Sequence, residues 1–181
     1  MKTIRHILLF KLFSLLFFTA FSQDIPLKFK HLKVEDGLSQ TSVFNVFQDS
    51  KGYIWLGTRD GLNKYDTKNF SVYRNQTGDS TSIDNNQVHD IYEDEDKRLF
   101  VGTRNGINEY DYEKDNFRQI TFEVNKKHRL VESQRVRAIT SYNNQLWVAH
   151  DFLKCIDKTT LKVTHIYNDE NSPLSTILHL N

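Results

Sequence analysis

From residue 43 onward the chain alternates short apolar runs with polar turns. "SVFNVFQDSKG" (42–52) reads as an apolar strand followed by a polar turn. "YIWLGT" (53–58) places Ile54 and Leu56 on one face and Tyr53 and Trp55 on the other, because strand side chains alternate. Both faces are apolar, so this strand needs cover on both sides. "RDG" follows, and Asp-Gly fits the two positive φ values of a type I′ turn, the commonest tight hairpin. "LNKYD" (62–66) is then the returning strand and "FSVYR" (70–74) the next. The pattern predicts strands over about 43–49, 53–58, 61–66 and 70–74.

The same pattern returns. "WLGTRDGLNKYD" (55–66) and "FVGTRNGINEYD" (100–111) lie 45 residues apart and agree at seven of twelve positions. Upstream, "QVHDIYEDEDK" (87–97) matches 42–52, and downstream "FRQITF" (117–122) matches 70–74. A third, worn unit is present. "RVRAITSYNNQLWVAHDFLKCID" (135–157) supplies three strands, with Asn143-Asn144 at the first turn, and "KVTHIY" (162–167) supplies the fourth. There Ala149 stands where Gly57 and Gly102 stood, and "HDF" replaces "RDG". Four strands recurring every 40–50 residues or so mark β-propeller blades. One small sheet with two apolar faces cannot bury either alone, whereas sheets stacked around an axis bury both. A β-sandwich with chance-similar hairpins fits the constant offset poorly. The expected fold is all-β: a partial β-propeller of about three four-stranded blades plus an N-terminal closing strand.

"DSKGYIWLGTRDGLNKYD" (49–66) resembles the two-component regulator propeller repeat. "FKHLKVEDGLSQTSVFNVFQDSKG" (29–52) resembles the opening of the sensor region in large hybrid two-component sensors. The resemblance implies periplasmic propellers ahead of a transmembrane helix, a histidine kinase and often a receiver and a DNA-binding domain. It also implies responses to glycan fragments, hence an oligosaccharide ligand, and a homodimeric full-length sensor. The chain departs from that plan by stopping at residue 181. "NDENSPLSTILHLN" (168–181) reads as the loop into a fourth blade. "LKFKHL" (27–32) resembles the outer strand that closes a final blade. No kinase phosphoacceptor box or ATP site is found. The expectation is an N-terminal sensor fragment that is not itself an enzyme, whose partners include the remaining blades. Its parts would be a signal peptide (1–22), closing strand and lead-in (23–38), and blades (39–181). Three blades in an arc should leave an apolar sheet face uncovered at each end.

The N-terminus supports export. Lys2, Arg5 and Lys11 accompany the apolar run Leu12–Phe18, and Ala20 and Ser22 occupy small-residue positions before Gln23. The run is shorter than the ~20 residues of a membrane span. No Cys follows the expected cleavage point, which argues against a lipid anchor. Without this segment 21 basic side chains face 23 acidic ones, a poor balance for binding nucleic acid. Cys155 is the single cysteine and reads as a buried strand residue.

Catalysis is the rival class, because many propellers are enzymes. "QDSKGYIW" (48–55) superficially resembles a sialidase Asp-box, but that motif places its Gly two residues after the Asp, and Gly52 follows Asp49 by three. Hydrolysis needs a placed carboxyl pair or equivalent nucleophile, and the acids here sit mostly in turns. "EDED" (93–96) lacks the spacing of a calcium loop and reads as a solvated hairpin tip. The histidines form no close metal-ligand pair, and no cofactor site is expected. Trp55 and Trp147 recur at one strand position and read as inter-blade core.

The loops joining second to third strands share one face with those joining successive blades, and ligand sites favour such mouths. They nominate Arg59, Asp60, Arg104, Asn105, His150 and Asp151 as ligand contacts, since guanidinium, amide and carboxylate groups suit sugar hydroxyls or carboxylates. The first reading is a glycan-responsive periplasmic sensor fragment. The alternatives are part of a secreted propeller enzyme, glycosidase or lyase, and a non-catalytic interaction propeller.

Overall fold

The computed structural model describes residues 29–120, 135–149 and 153–167. The chain divides into two compact units, Met1–His31 and Leu32–Asn181. Of the first only 29–31 are described, and the architecture below is that of the second. The expected signal peptide and the 168–181 loop lie outside the described residues, and residues 29–33 form no strand.

Twelve strands form three four-stranded antiparallel sheets. After a 3-10 turn at Val34–Asp36, the first sheet comprises β1 (Val43–Gln48), β2 (Ile54–Thr58), β3 (Gly61–Tyr65) and β4 (Phe70–Tyr73). The second comprises β5 (Val88–Glu93), β6 (Leu99–Thr103), β7 (Ile107–Asp111) and β8 (Asn116–Ile120). The third comprises β9 (Ala138–Tyr142), β10 (Gln145–Ala149), β11 (Leu153–Asp157) and β12 (Val163–Tyr167). Every strand pairs with its sequence neighbour, so each sheet is a meander. β1 and β2 lie against β5, and β5 and β6 against β9. The first strand of each unit is thus the innermost, and the expected blades are found.

Both faces of the central strands are covered, as their double apolar pattern requires. Trp55 and Leu62 pack with Leu99, Val101, Tyr110 and Phe117 between the first two blades. Phe100, Ile107 and Ile120, on the other face of blade two, pack with Ile139, Leu146, Val148 and Ile156 of blade three. Cys155 is buried, and burial raises its thiol pKa. The expectation of a bare outer face on blade one holds only in part: Val46, paired with Leu56, is 65% exposed, but the rest of that face is covered. Leu38, from the lead-in, is buried there with Leu56 and Tyr65, and Leu32 packs beside them.

A repeated asparagine docks that lead-in. Asn63 accepts the Ser39 N–H at 2.8 Å, and its amide donates to Ser39 Oγ. One blade later Asn108 accepts the Asp84 N–H at 3.1 Å and donates to Asp84 Oδ1. The lead-in is therefore part of the repeat unit. Gly57 and Gly102 admit the next blade: a Cβ would lie 2.9 Å from Val88 Cγ1 at Gly57 and 2.6 Å from Val136 Cγ1 at Gly102.

The turn chemistry differs from expectation. Neither Asp60 nor Asn105 has positive φ, whereas Gly61 does, at 118°. The two-residue tips therefore are not type I′; the left-handed residue is the glycine after each tip. A Cβ on Gly61 would also meet the Tyr73 carbonyl at 2.6 Å. Type I′ signs occur instead at Asn143 and Asn144, φ 49° and 59°, in the β9–β10 hairpin.

Candidate functional site

Antiparallel meanders put the β1–β2 and β3–β4 turns at one end of a blade and the β2–β3 and inter-blade loops at the other. The two ends use their charges differently.

At the first end, carboxylates latch blades together. Asp49 is buried; its Oδ1 accepts the N–H groups of Lys51 and Tyr53, both at 2.9 Å. Its Oδ2 accepts Trp55 Nε1 and, from blade two, the Tyr112 hydroxyl, both at 2.7 Å. Burial, then the Asp49 carboxylate, pushes the Tyr112 pKa up. Asp94 occupies the equivalent position 45 residues on. Its Oδ1 accepts the N–H groups of Asp96 and Arg98 at 2.9 Å, and its Oδ2 accepts Lys158 Nζ of blade three at 3.1 Å. Lys158 is buried and also reaches Glu95 at 2.9 Å and Asp96 at 3.0 Å. Burial disfavours its charge, but the three carboxylates outweigh this and raise its pKa. The Ser141 hydroxyl first, then Lys158, holds the Glu95 carboxyl down to about 2. The reading of "EDED" as a solvated tip is thus corrected: Asp94 is buried, and the tip is an inter-blade ion cluster. Another clasp joins blades one and two, where Asp115 accepts from Lys64 Nζ at 3.0 Å and from the Tyr73 and Tyr110 hydroxyls.

The second end is the mouth nominated from sequence. Arg59, on the β2–β3 tip, and Arg104, on the β6–β7 tip, are both exposed. Asp60 is taken by structure: Arg74 Nη2 lies 3.1 Å away, and Asn86 donates to it at 3.4 Å. Asn105 donates to the Asp84 carbonyl at 3.4 Å and lines an open polar cavity of about 580 Å³ with Asn75, Asp79, Asp84 and Gln119. Inter-blade loop and hairpin tip therefore meet, as the topology required. His150 and Asp151 lie outside the described residues.

Sequence reasoning missed the inner-strand residues beside these tips. Phe44 of β1 and His89 of β5 occupy one repeat position and stack at 5.3 Å. The Arg59 guanidinium lies over Phe44 at 5.9 Å. The signal was present in the 45-residue offset, but first strands were read only as strands. Among the described residues no cluster of His, Cys, Asp or Glu could hold a metal ion, and no helix is long and apolar enough to cross a membrane.

Residues 37–60 and 82–105 match the family model described as "Two component regulator propeller". Each match starts in the segment that Asn63 or Asn108 docks and ends at or beside a mouth tip. A 72-residue stretch, 40% of the chain, is 50% identical to Histidine kinase P4 of Formosa agariphila, covering 5% of that protein. The fold resembles the extracellular domain of a hybrid two-component system from B. thetaiotaomicron, with TM-score 0.67 and 30% identity over 80% of this chain and 20% of that one. It also resembles the extracellular domain of a one-component system of that organism, with TM-score 0.62 and 25% identity over 72% of this chain and 19% of that one. The chain thus spans a small part of each protein it matches.

Proposed function

We propose that this chain, which carries two-component regulator propeller repeats, is the N-terminal part of a periplasmic sensor propeller that responds to glycan fragments. Residues 1–22 direct its export, the remaining blades and a second sensor copy are its protein partners, and the oligosaccharide binds at the mouth. The observation that carries this reading is the pair of repeat-equivalent guanidinium groups, Arg59 and Arg104, exposed on the tips of successive blades, with Asn105, next to Arg104, lining a cavity. Asn105 supplies amide chemistry at the same rim, while Asp60 holds the rim's shape through Arg74. His150 and Asp151 are proposed as further ligand contacts from the third repeat.

The state of the carboxylates favours sensing over glycoside hydrolysis. Asp49, Asp94 and Asp115 each bind donors from two blades, and Asp84 holds Thr103 and Asn108. A hydrolase needs carboxyl groups presented to substrate. Calorimetry of the full chain against a panel of neutral and acidic oligosaccharides tests the reading. Saturable binding without turnover is expected; cleavage of any panel member would place the protein among the propeller enzymes.

A further inference from the structure

We infer that the mouth is an anion site, and that the glycan it takes carries a carboxylate or sulfate group held between Arg59, Arg104 and Arg137. This rests on the sensor reading above and narrows its ligand class.

The three arginines come from three consecutive blades. Arg59 and Arg104 are repeat-equivalent hairpin tips. Arg137 stands one residue before β9, at the position that Phe44 and His89 hold in the first two blades. Backbone bonds fix their spacing: Arg104 N–H donates to Gln87 O at 3.0 Å, Val136 N–H to Thr103 O at 2.9 Å, and Arg137 N–H to Ala149 O at 2.7 Å. His89 links them: it stacks on Phe44, over which Arg59 lies, and the charges of Arg135, Arg104 and Arg137 bear on its ring.

These cations lack counterions. Arg59, Arg104 and Arg137 are all exposed, and none joins an ion pair among the described residues. Of the nearby carboxylates one is ion-paired and two are held by neutral donors in hydrogen bonds that none of the three arginines shares. Asp60 holds Arg74, Asp84 accepts Thr103 Oγ1 at 2.5 Å, and Asp90 accepts Asn45 Nδ2 at 2.8 Å and the Ile139 N–H at 2.7 Å. His89 Nε2 is buried and has no hydrogen-bond partner among the described residues. Burial, with Arg135, Arg104 and Arg137, depresses its pKa and favours the neutral ring. Exposed guanidinium groups on neighbouring loops, with no ion-pair partner among the described residues, are open to an anion. A bound anion would supply the counter-charge that these arginines lack. Phe44, 44% exposed, offers the flat apolar surface beside them. Guanidinium forks match carboxylate and sulfate oxygens in pairs, which a neutral sugar does not exploit.

The test is calorimetry on the full chain with matched probes: a neutral oligosaccharide, its uronic-acid counterpart and its sulfated counterpart. Arg104→Ala, Arg137→Ala and Arg104→Lys are titrated alongside, with folding checked by circular dichroism. The acidic probes should bind tighter than the neutral one, and raised salt should weaken them. Either alanine variant should lose ~10- to 100-fold in affinity for the acidic probe, the value of a charged hydrogen-bonded contact. Arg104→Lys should recover part of that loss. Equal binding of neutral and acidic probes would overturn the inference while leaving the sensor reading intact. Binding of none of the three would overturn both.

Discussion

The two ends of the blades use their charges in opposite ways. At the latch end, carboxylates at one repeat position are buried and hold the neighbouring blade. Asp49 takes a neutral phenol and indole, whereas Asp94 takes the Lys158 ammonium. At the mouth, the repeat-equivalent Arg59 and Arg104 stay exposed and unpaired among the described residues. The repeat thus separates structural polarity from polarity open to a ligand, and substitutions at the two ends should have different consequences.

The largest effect is expected from Asp49→Ala. It strips the acceptor from two backbone N–H groups, the Trp55 indole and the Tyr112 hydroxyl. Unsatisfied buried donors cost about 1–3 kcal/mol each, partly relieved by water, so a loss of roughly 4 kcal/mol in chemical denaturation is expected. A loss under about 1 kcal/mol would show that the aromatic latch contributes little to stability.

Lys158→Met should follow at about 3 kcal/mol, because breaking a buried pair leaves the Asp94 charge uncompensated. The pH dependence sharpens the case. A Glu95 pKa near 2, against an ordinary 4.5, stabilises the fold above about pH 4.5, and that contribution disappears as pH falls toward 2. In Lys158→Met the Glu95 pKa should rise only part of the way to 4.5, since Ser141 still donates to it at 2.6 Å. Carboxyl titration by NMR reads this directly, and an unmoved Glu95 would detach it from Lys158. Tyr112→Phe removes one bond from an Asp49 that keeps three others, so ~1.5 kcal/mol is expected.

Much of this fold was legible in the sequence because blade strands are short, alternating and repeated. "WLGT" and "FVGT" place Trp55 and Phe100 in successive inter-blade cores, as their doubled apolar faces demand. The turn type was misread because Asp-Gly fits two geometries; the paired Thr58 and Gly61 leave Arg59-Asp60 as the tip. "EDED" was misread because its counterion, Lys158, lies more than 60 residues away in the next repeat. At the mouth, topology placed Arg59 and Arg104 correctly, but local sequence could not show that Arg74 would occupy Asp60. Nor could it show that Phe44 and His89 would stack across blades.

The most direct test of the central claim, that the mouth is the ligand end, is the Arg59→Ala/Arg104→Ala double variant of the full chain. Its unfolding midpoint and its oligosaccharide affinity should be measured on one preparation. Exposed, unpaired arginines contribute within ~0.5 kcal/mol of stability each, so the midpoint should hold while binding collapses. A folded double variant with unchanged affinity would contradict the account.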